Sequence, residues 1–243
     1  MKPVDDTWSA PRVTRHVWPK QLPPLSEAQK RINADFVKLW HEILPRQYGL
    51  AERFNHGYPL RSAVANDRCK SLEIGAGLGS HIPHEDLATQ AYHVVELRPE
   101  MAAEIRRRFA QVPVTVADCQ GRLPYPDAYF DRVIAIHVLE HLPNLPAALN
   151  EVRRVLKSGG VFAIVYPCDP GFAYWIARKI SAERLFRAKY GVPYGWLIRR
   201  EHINNPKEIE TELARRFRLS GRRFFPLQIP LISLNLCVGV TAR

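Results

Sequence analysis

Three carboxylates and three glycines in the first half of the chain have the residue types and spacing to hold a polar ligand. Glu73-Ile74-Gly75-Ala76-Gly77-Leu78-Gly79-Ser80 sets an acidic residue just before glycines at alternate positions. Glycine adopts positive φ and allows close backbone approach, so a strand breaking into this loop can seat a ligand against its backbone. A helix starting just beyond would aim free N–H groups and its positive dipole end at that ligand. Glu96 follows Gly75 by 21 positions, the spacing at which a carboxylate reaches ribose hydroxyls. Asp118 closes the next apolar run. Glycines alone read as an ordinary turn; three acids in register at strand ends argue for a ligand.

The elements that must position these residues follow a strand–helix rhythm. Ser71–Ile74, Tyr92–Glu96, Val112–Ala117, Phe130–Ile136 and Val161–Tyr166 are expected as strands, with helices over Pro99–Ala110 and Leu145–Leu156. Val161–Tyr166 is nearly all apolar, as a central parallel strand should be. Such repeats imply right-handed crossovers and a Rossmann-like, doubly wound α/β sheet. Arg222–Leu227 and Leu231–Thr241 are expected as a closing antiparallel pair, giving seven mostly parallel strands with the last antiparallel. Between strand five and the Pro206–Phe217 helix lies an insertion, residues 167–205. Its Phe172–Tyr190 stretch alternates apolar and basic residues as a basic amphipathic helical segment does.

Ahead of the sheet, Pro3, Pro11, Pro19, Pro23 and Pro24 prevent regular structure, and Trp8 and Trp18 could pin the resulting extended arm. A helix opens at Ser26-Glu27, carries Ile32, Phe36, Leu39, Trp40 and Ile43, and is expected to end before Pro45. Arg53–Leu60 reads as a turn-rich link. The division expected is an N-terminal arm and cap helix, 1–60, and a main domain, 61–243.

Composition bounds the rest. At 243 residues, 46% hydrophobic and 24% charged, the chain is an ordinary globular one. Cys69, Cys119, Cys168 and Cys237 lie far apart, as reduced cysteines of a cytoplasmic protein do. No export signal opens the chain, and Phe224–Val240 is too interrupted for a membrane span. No His, Cys or carboxylate cluster has metal-ligand spacing, so no metal is expected. A net charge of +11 favours anionic partners without choosing among nucleic acid, phosphate-bearing substrates and acidic membranes.

Leu72–Ser80, Val94–Met101 and Ala117–Asp127 resemble three successive motifs of the class I S-adenosylmethionine-dependent methyltransferases, in the manner of the methyltransferase type 11 domain. Phe130-Asp131-Arg132-Val133, His137-Val138-Leu139-Glu140-His141-Leu142 and Leu156-Lys157-Ser158-Gly159-Gly160 continue the resemblance to about residue 166 in unbroken order. It implies that S-adenosylmethionine is the cofactor and S-adenosylhomocysteine the product. Glu73 would face the methionine amine. Gly75, Ala76, Gly77 and Gly79 would let the methionine and ribose lie against backbone. Glu96, with Leu97 beside it, would accept from both ribose hydroxyls, a task suited to a carboxylate. Asp118 would take the adenine amino group, Cys119 would offer its backbone N–H, and His137 would line the sulfonium.

A general base for an O- or N-nucleophile is sought in His141, His202 and His56, and a structural role is open for each. The insertion would cover the site mouth, with Phe172, Tyr174, Trp175, Tyr190, Tyr194 and Trp196 as apolar walls or as a core-packed helix pair. The reading is a methyltransferase for a small-molecule, glycolipid or lipid-linked acceptor; the basic lid suits an anionic one and peripheral contact of the protein with a membrane surface. An RNA methyltransferase is the alternative on charge, although an NPPY-like tetrapeptide is missing after strand four. A non-catalytic binding module of the same fold is another. A dinucleotide dehydrogenase shares the glycine loop, but Ser80 stands where its fingerprint wants glycine or alanine.

Overall fold

The computed structural model describes residues 17–47, 49–62 and 69–243. Trp8, Pro3 and Pro11 of the expected arm lie outside them. Seven strands form one sheet: β1 (Cys69–Ile74), β2 (Gln90–Glu96), β3 (Val114–Val116), β4 (Phe130–Ile136), β5 (Leu156–Pro167), β6 (Leu219–Phe225) and β7 (Cys237–Ala242). Their order is β3-β2-β1-β4-β5-β7-β6, and β7 alone runs against its neighbours. This is the doubly wound, mostly parallel sheet expected from the sequence.

The helices are α1 (Glu27–Gln47), α2 (Gly49–Leu60), α3 (Pro99–Arg108), α4 (Leu145–Val155), α5 (Phe172–Ile180), α6 (Ala182–Tyr190), α7 (Gly195–Glu201) and α8 (Pro206–Ala214). Alternation along β4 shows how the sheet is wrapped. Val133 and Ala135 enter a core with Leu145, Leu149 and Val152 of α4 and Ile209 and Leu213 of α8. Ile134 faces the other way, onto Ile105 of α3, and Ile136 is shared with a cluster that includes Tyr58 of α2. Both faces of the central strands are therefore dry, which is why they read as continuous apolar runs. Asparagine caps start α4 and α8, the second as a reciprocal capping box between Asn205 and Glu208.

Several expectations are corrected. Arg53–Leu60 is not a turn-rich link but most of α2, whose Asn55, His56, Tyr58 and Pro59 are buried. Packing onto the sheet overrides the weak helix propensity of Asn55, Gly57 and Pro59. Helix α1 continues past Pro45 to Gln47. The basic segment 172–190 is two helices, broken where Ser181 Oγ donates to Ala177 O at 2.5 Å, a back-bond that competes with helix continuation. Leu231–Thr241 is a strand only from Cys237, and residues 226–236 form a loop with a short 3₁₀ turn at Ile232–Leu234. The fifth strand begins at Leu156 rather than Val161, taking up the Lys157–Gly160 stretch, with Gly159 at φ +76°.

Helix α2 is held by an unusual contact. Tyr58 lies across Gly239 of β7, and its hydroxyl shares a hydrogen bond with Thr241 Oγ1 at 2.9 Å. A Cβ at position 239 would sit 2.4 Å from the Tyr58 ring. Gly239→Ala is therefore expected to push α2 off the sheet and cost about 1–3 kcal/mol, as overpacking does. For a chain of this length that is a fall in Tm of roughly 2–12 °C. In a Tyr58→Ala background the same change should cost little, which thermal melts of the four-protein cycle would check.

Candidate functional site

Four neighbouring strands, in the order β3-β2-β1-β4, carry the predicted site residues along one edge of the sheet. The Gly75 N–H donates to Val95 O at 2.7 Å, which seats the glycine loop beside the end of β2. Gly75, Gly77 and Gly79 all have positive φ, 65°, 57° and 74°. A Cβ on Gly75 would meet Val138 Cγ2 at 2.7 Å, and one on Gly79 would meet Ile82 Cδ1 at 2.9 Å. Backbone conformation and space both demand glycine at these two positions.

Glu96 is buried at the tip of β2. Its Oε2 accepts from Gly77 N–H at 2.8 Å and its Oε1 from Arg98 N–H at 2.9 Å. Each oxygen keeps a free lone pair, so the group can still accept two hydroxyl donors. That capacity, fixed against the glycine loop, fits the adenosyl group the motifs imply. Leu97 beside it is exposed. Asp118 stands exposed beyond β3 and binds the Gln120 N–H at 2.9 Å. Burial, with Asp118 and Glu96 adding negative charge, pushes the neighbouring Cys119 thiol up to about 12, so it stays protonated. Ala76 is half-buried in the loop.

Glu73 lies near the end of β1. It is buried, and Tyr92 Oη donates to its Oε2 at 2.9 Å. Burial pushes its pKa up to about 8, with Glu85 and Glu96 adding to the rise. Tyr92 gave no sequence signal for this partnership, since aromatic residues in strands are ordinary.

Across the edge, after β4, His137 takes a left-handed conformation at φ +53° and its Nδ1 pairs with Glu140 Oε1 at 3.2 Å. Burial opposes a charged ring here, but Cys237 and Glu140 beside it hold the pKa well above the usual imidazole value. The fold then brings His141 and His202, sixty-one positions apart in sequence, to a ring separation of 5.4 Å. His141 Nδ1 bonds the Glu201 carbonyl at 2.6 Å, and His202 Nδ1 bonds Asp169 Oδ2 at 2.9 Å. Carbonyl and carboxylate oxygens only accept, so both Nδ1 atoms carry hydrogen, and in the neutral form of each ring the lone pair sits on Nε2. Burial lowers the pKa of His141. His56 belongs elsewhere, stacked with His81 and His84 in a cluster of three rings and bonded to Glu52.

Asp169 and Glu140 escaped sequence reasoning. The only cue for Asp169 was its place after β5, and Glu140 was hidden between two more conspicuous histidines. The insertion splits its aromatics. Tyr174 sits 5.8 Å from the His202 ring, centroid to centroid. Tyr190, Tyr194 and Trp196 instead pack with Phe186 around Phe36 of α1, so they are core residues rather than walls of the mouth. Phe172 and Trp175 are exposed.

Comparison with known proteins agrees with the motif resemblance. Residues 72–164 match the family model described as a methyltransferase domain. The chain is 36% identical over 153 residues to a sterol 4-C-methyltransferase of Caenorhabditis elegans, covering 60% of this chain and 40% of that protein. It is 25% identical over 233 residues to a probable phthiotriol/phenolphthiotriol dimycocerosates methyltransferase of Mycobacterium ulcerans, covering 81% and 89%. The chain thus spans well under two thirds of the nematode relative's length. Among solved structures, a SAM-dependent methyltransferase from Aquifex aeolicus superposes with a TM-score of 0.60 at 16% identity, over 86% of this chain and 97% of that one. The [4+2]-cyclase SpnF superposes at 0.57 and 15% identity over 79% and 80%, so this fold also serves other reactions.

Proposed function

We propose, from the match of residues 72–164 to a methyltransferase domain, that the chain transfers a methyl group from S-adenosylmethionine to a small-molecule acceptor of lipid type. The observation that carries the reading is the row of Asp118, Glu96, the glycine loop and His137 along one sheet edge, with two oriented histidines beyond it. The bound cofactor supplies an electrophilic methyl on a good leaving group. What this chain's residues add is alignment and exclusion of water, which can be worth about 7–11 kcal/mol. Glu96 would grip the ribose, Asp118 the adenine amino group, and Glu73 the amine end. Between the two histidines, His202 is the better placed base, because Asp169 fixes its tautomer and would steady the imidazolium it becomes.

The acceptor class rests on the outer surface and on the relatives, whose names include a sterol and a mycobacterial lipid methyltransferase. Phe172, Trp175, Ile176 and Ile180 fall on one face of α5 and are exposed. Leu227, Ile229, Leu231 and Leu234 of the adjoining loop are exposed as well. Gly171, which precedes α5, packs so close to the 232–233 backbone that a Cβ there would stand 2.7 Å from Ile232 O. An apolar patch of this kind on a chain of charge +11 suits the headgroup boundary of an anionic bilayer, from which a lipid acceptor would enter. Among the described residues no helix is long and apolar enough to cross a membrane.

Flotation with phosphatidylglycerol-containing vesicles should carry the protein upward, and Trp175→Glu with Ile180→Glu should leave it at the bottom. Absence of binding by the unmodified chain would remove the bilayer from the reading. Labelled methyl from S-adenosylmethionine should enter a lipid extract, and His202→Ala should slow that transfer about 10²–10⁴-fold, the usual worth of a positioned base. Unchanged turnover would sink the assignment of His202.

A further inference from the structure

We infer that Glu140, His141 and His202 form a binding site for one divalent first-row transition-metal ion, zinc above the others. One ligand atom from each of the three lies within 4.8 Å of the other two. The sequence conceals this group, because His202 arrives from the far end of the insertion. Its position is nevertheless fixed by backbone. The Ile203 and Asn204 N–H groups both donate to Glu140 O, at 2.9 and 3.0 Å. Asn204 Nδ2 donates to Leu139 O and Leu142 O, at 2.7 and 2.8 Å.

The tautomers are those a metal requires. Imidazoles that ligate a metal almost always donate their other N–H to a carbonyl or carboxylate, which orients the ring and raises its basicity. His141 does so to Glu201 O and His202 to Asp169 Oδ2, leaving both Nε2 lone pairs available. The third donor is only half engaged. Glu140 is 1% exposed; its Oε1 pairs with His137 Nδ1 at 3.2 Å and stands 3.8 Å from His141 Nε2, while its Oε2 has no hydrogen-bond partner. A buried carboxylate oxygen left unpaired is costly, and a cation shared by this carboxylate and the two imidazoles would offset that cost.

Two imidazoles and one carboxylate are the donor set of open zinc sites, and imidazole selects zinc or its transition-metal neighbours over calcium and magnesium. Zinc–ligand bonds of about 2.0–2.2 Å need these atoms closer than they stand, by side-chain rotations of His141 and His202, the former about a third exposed. A fourth position would remain at the site mouth for an oxygen of the acceptor. The inference rests on donor geometry and not on methyl transfer. Zinc would occupy the same Nε2 atoms that the proposed base uses, so ligand and base are alternative employments of one pair.

Metal-free protein titrated with Zn²⁺ in a calorimeter, without cofactor, should bind one ion. Co²⁺ in its place should develop visible d–d absorption. His202→Ala and His141→Ala should each weaken Zn²⁺ binding at least about 100-fold, and Asp169→Asn, which disturbs only the outer support, about 10–100-fold. His84→Ala, in the other histidine cluster, should change nothing. Circular dichroism would confirm that each variant folds. Failure to bind Zn²⁺, or binding lost in His84→Ala but kept in His141→Ala and His202→Ala, overturns the inference. Either result can occur with methyl transfer intact, so it is distinguishable from a failure of the proposed function.

Discussion

Glu96→Ala is expected to weaken S-adenosylhomocysteine binding by two orders of magnitude or more in calorimetry. A hydrogen bond to a charged acceptor is worth about 1.5–3 kcal/mol, so two ribose hydroxyls on one carboxylate amount to at least about 3 kcal/mol. At about 1.4 kcal/mol per tenfold, that is a factor of roughly 100. The loss has a second source in this fold. Glu96 also accepts from the N–H groups of Gly77 and Arg98, so its removal loosens the loop that should meet the ligand. Glutamine would not substitute, because its NH₂ would face one of those two donors. The contributions separate by changing the ligand. A 2′-deoxyribose analogue should bind the unmodified protein more weakly than S-adenosylhomocysteine does, and the two ligands should bind Glu96→Ala alike. Equal affinity of the unmodified protein and Glu96→Ala for S-adenosylhomocysteine would sink the assignment.

β1, β2 and β4 were legible because they are largely buried on both faces, whereas β3, half-exposed, is shorter than expected. β4 matches its expected bounds residue for residue, and Glu96 ends β2 as its spacing required. Legibility failed where tertiary contacts decide. Nothing local makes Asn55-His56-Gly57-Tyr58-Pro59 helical; the sheet beneath α2 does. Nor does local sequence tell that Tyr194 and Trp196 face Phe36 rather than the mouth, since an aromatic in an amphipathic helix looks the same against either neighbour. The histidine pair is the sharper case. His141 and His202 could each be singled out by type, but their meeting depends on Asn204 and the Glu140 carbonyl tying α7 to the turn after β4. Metal-ligand spacing is a property of contiguous sequence, and donors assembled across an insertion leave none.

Glu73→Gln is expected to flatten the chain's response to alkali. The Glu73 carboxyl has a folded-state pKa near 8 against an ordinary 4.5, mainly through burial. Between those values the folded protein holds a proton that the unfolded chain has released, so stability falls as pH rises through the window. The slope approaches about 1.4 kcal/mol per pH unit for one group. Below pH 4.5 both states are protonated and the contribution is fully present; above 8 it is gone, and a charge is buried beside Glu85 and Glu96. Glutamine keeps a carbonyl for the Tyr92 hydroxyl and cannot ionise, so denaturant titrations at pH 5.5 and 8 should differ much less for Glu73→Gln than for the unmodified protein. The same group would report the ligand. An ammonium brought near Glu73 favours its anion and lowers its pKa, so S-adenosylhomocysteine binding at pH 7 should release a fraction of a proton, read from calorimetry in buffers of different ionisation enthalpy. Glu73→Gln should release less by that amount. A profile that stays flat in both proteins would mean that Glu73 is already ionised in the free chain, and equal proton release would mean that the amine lies elsewhere.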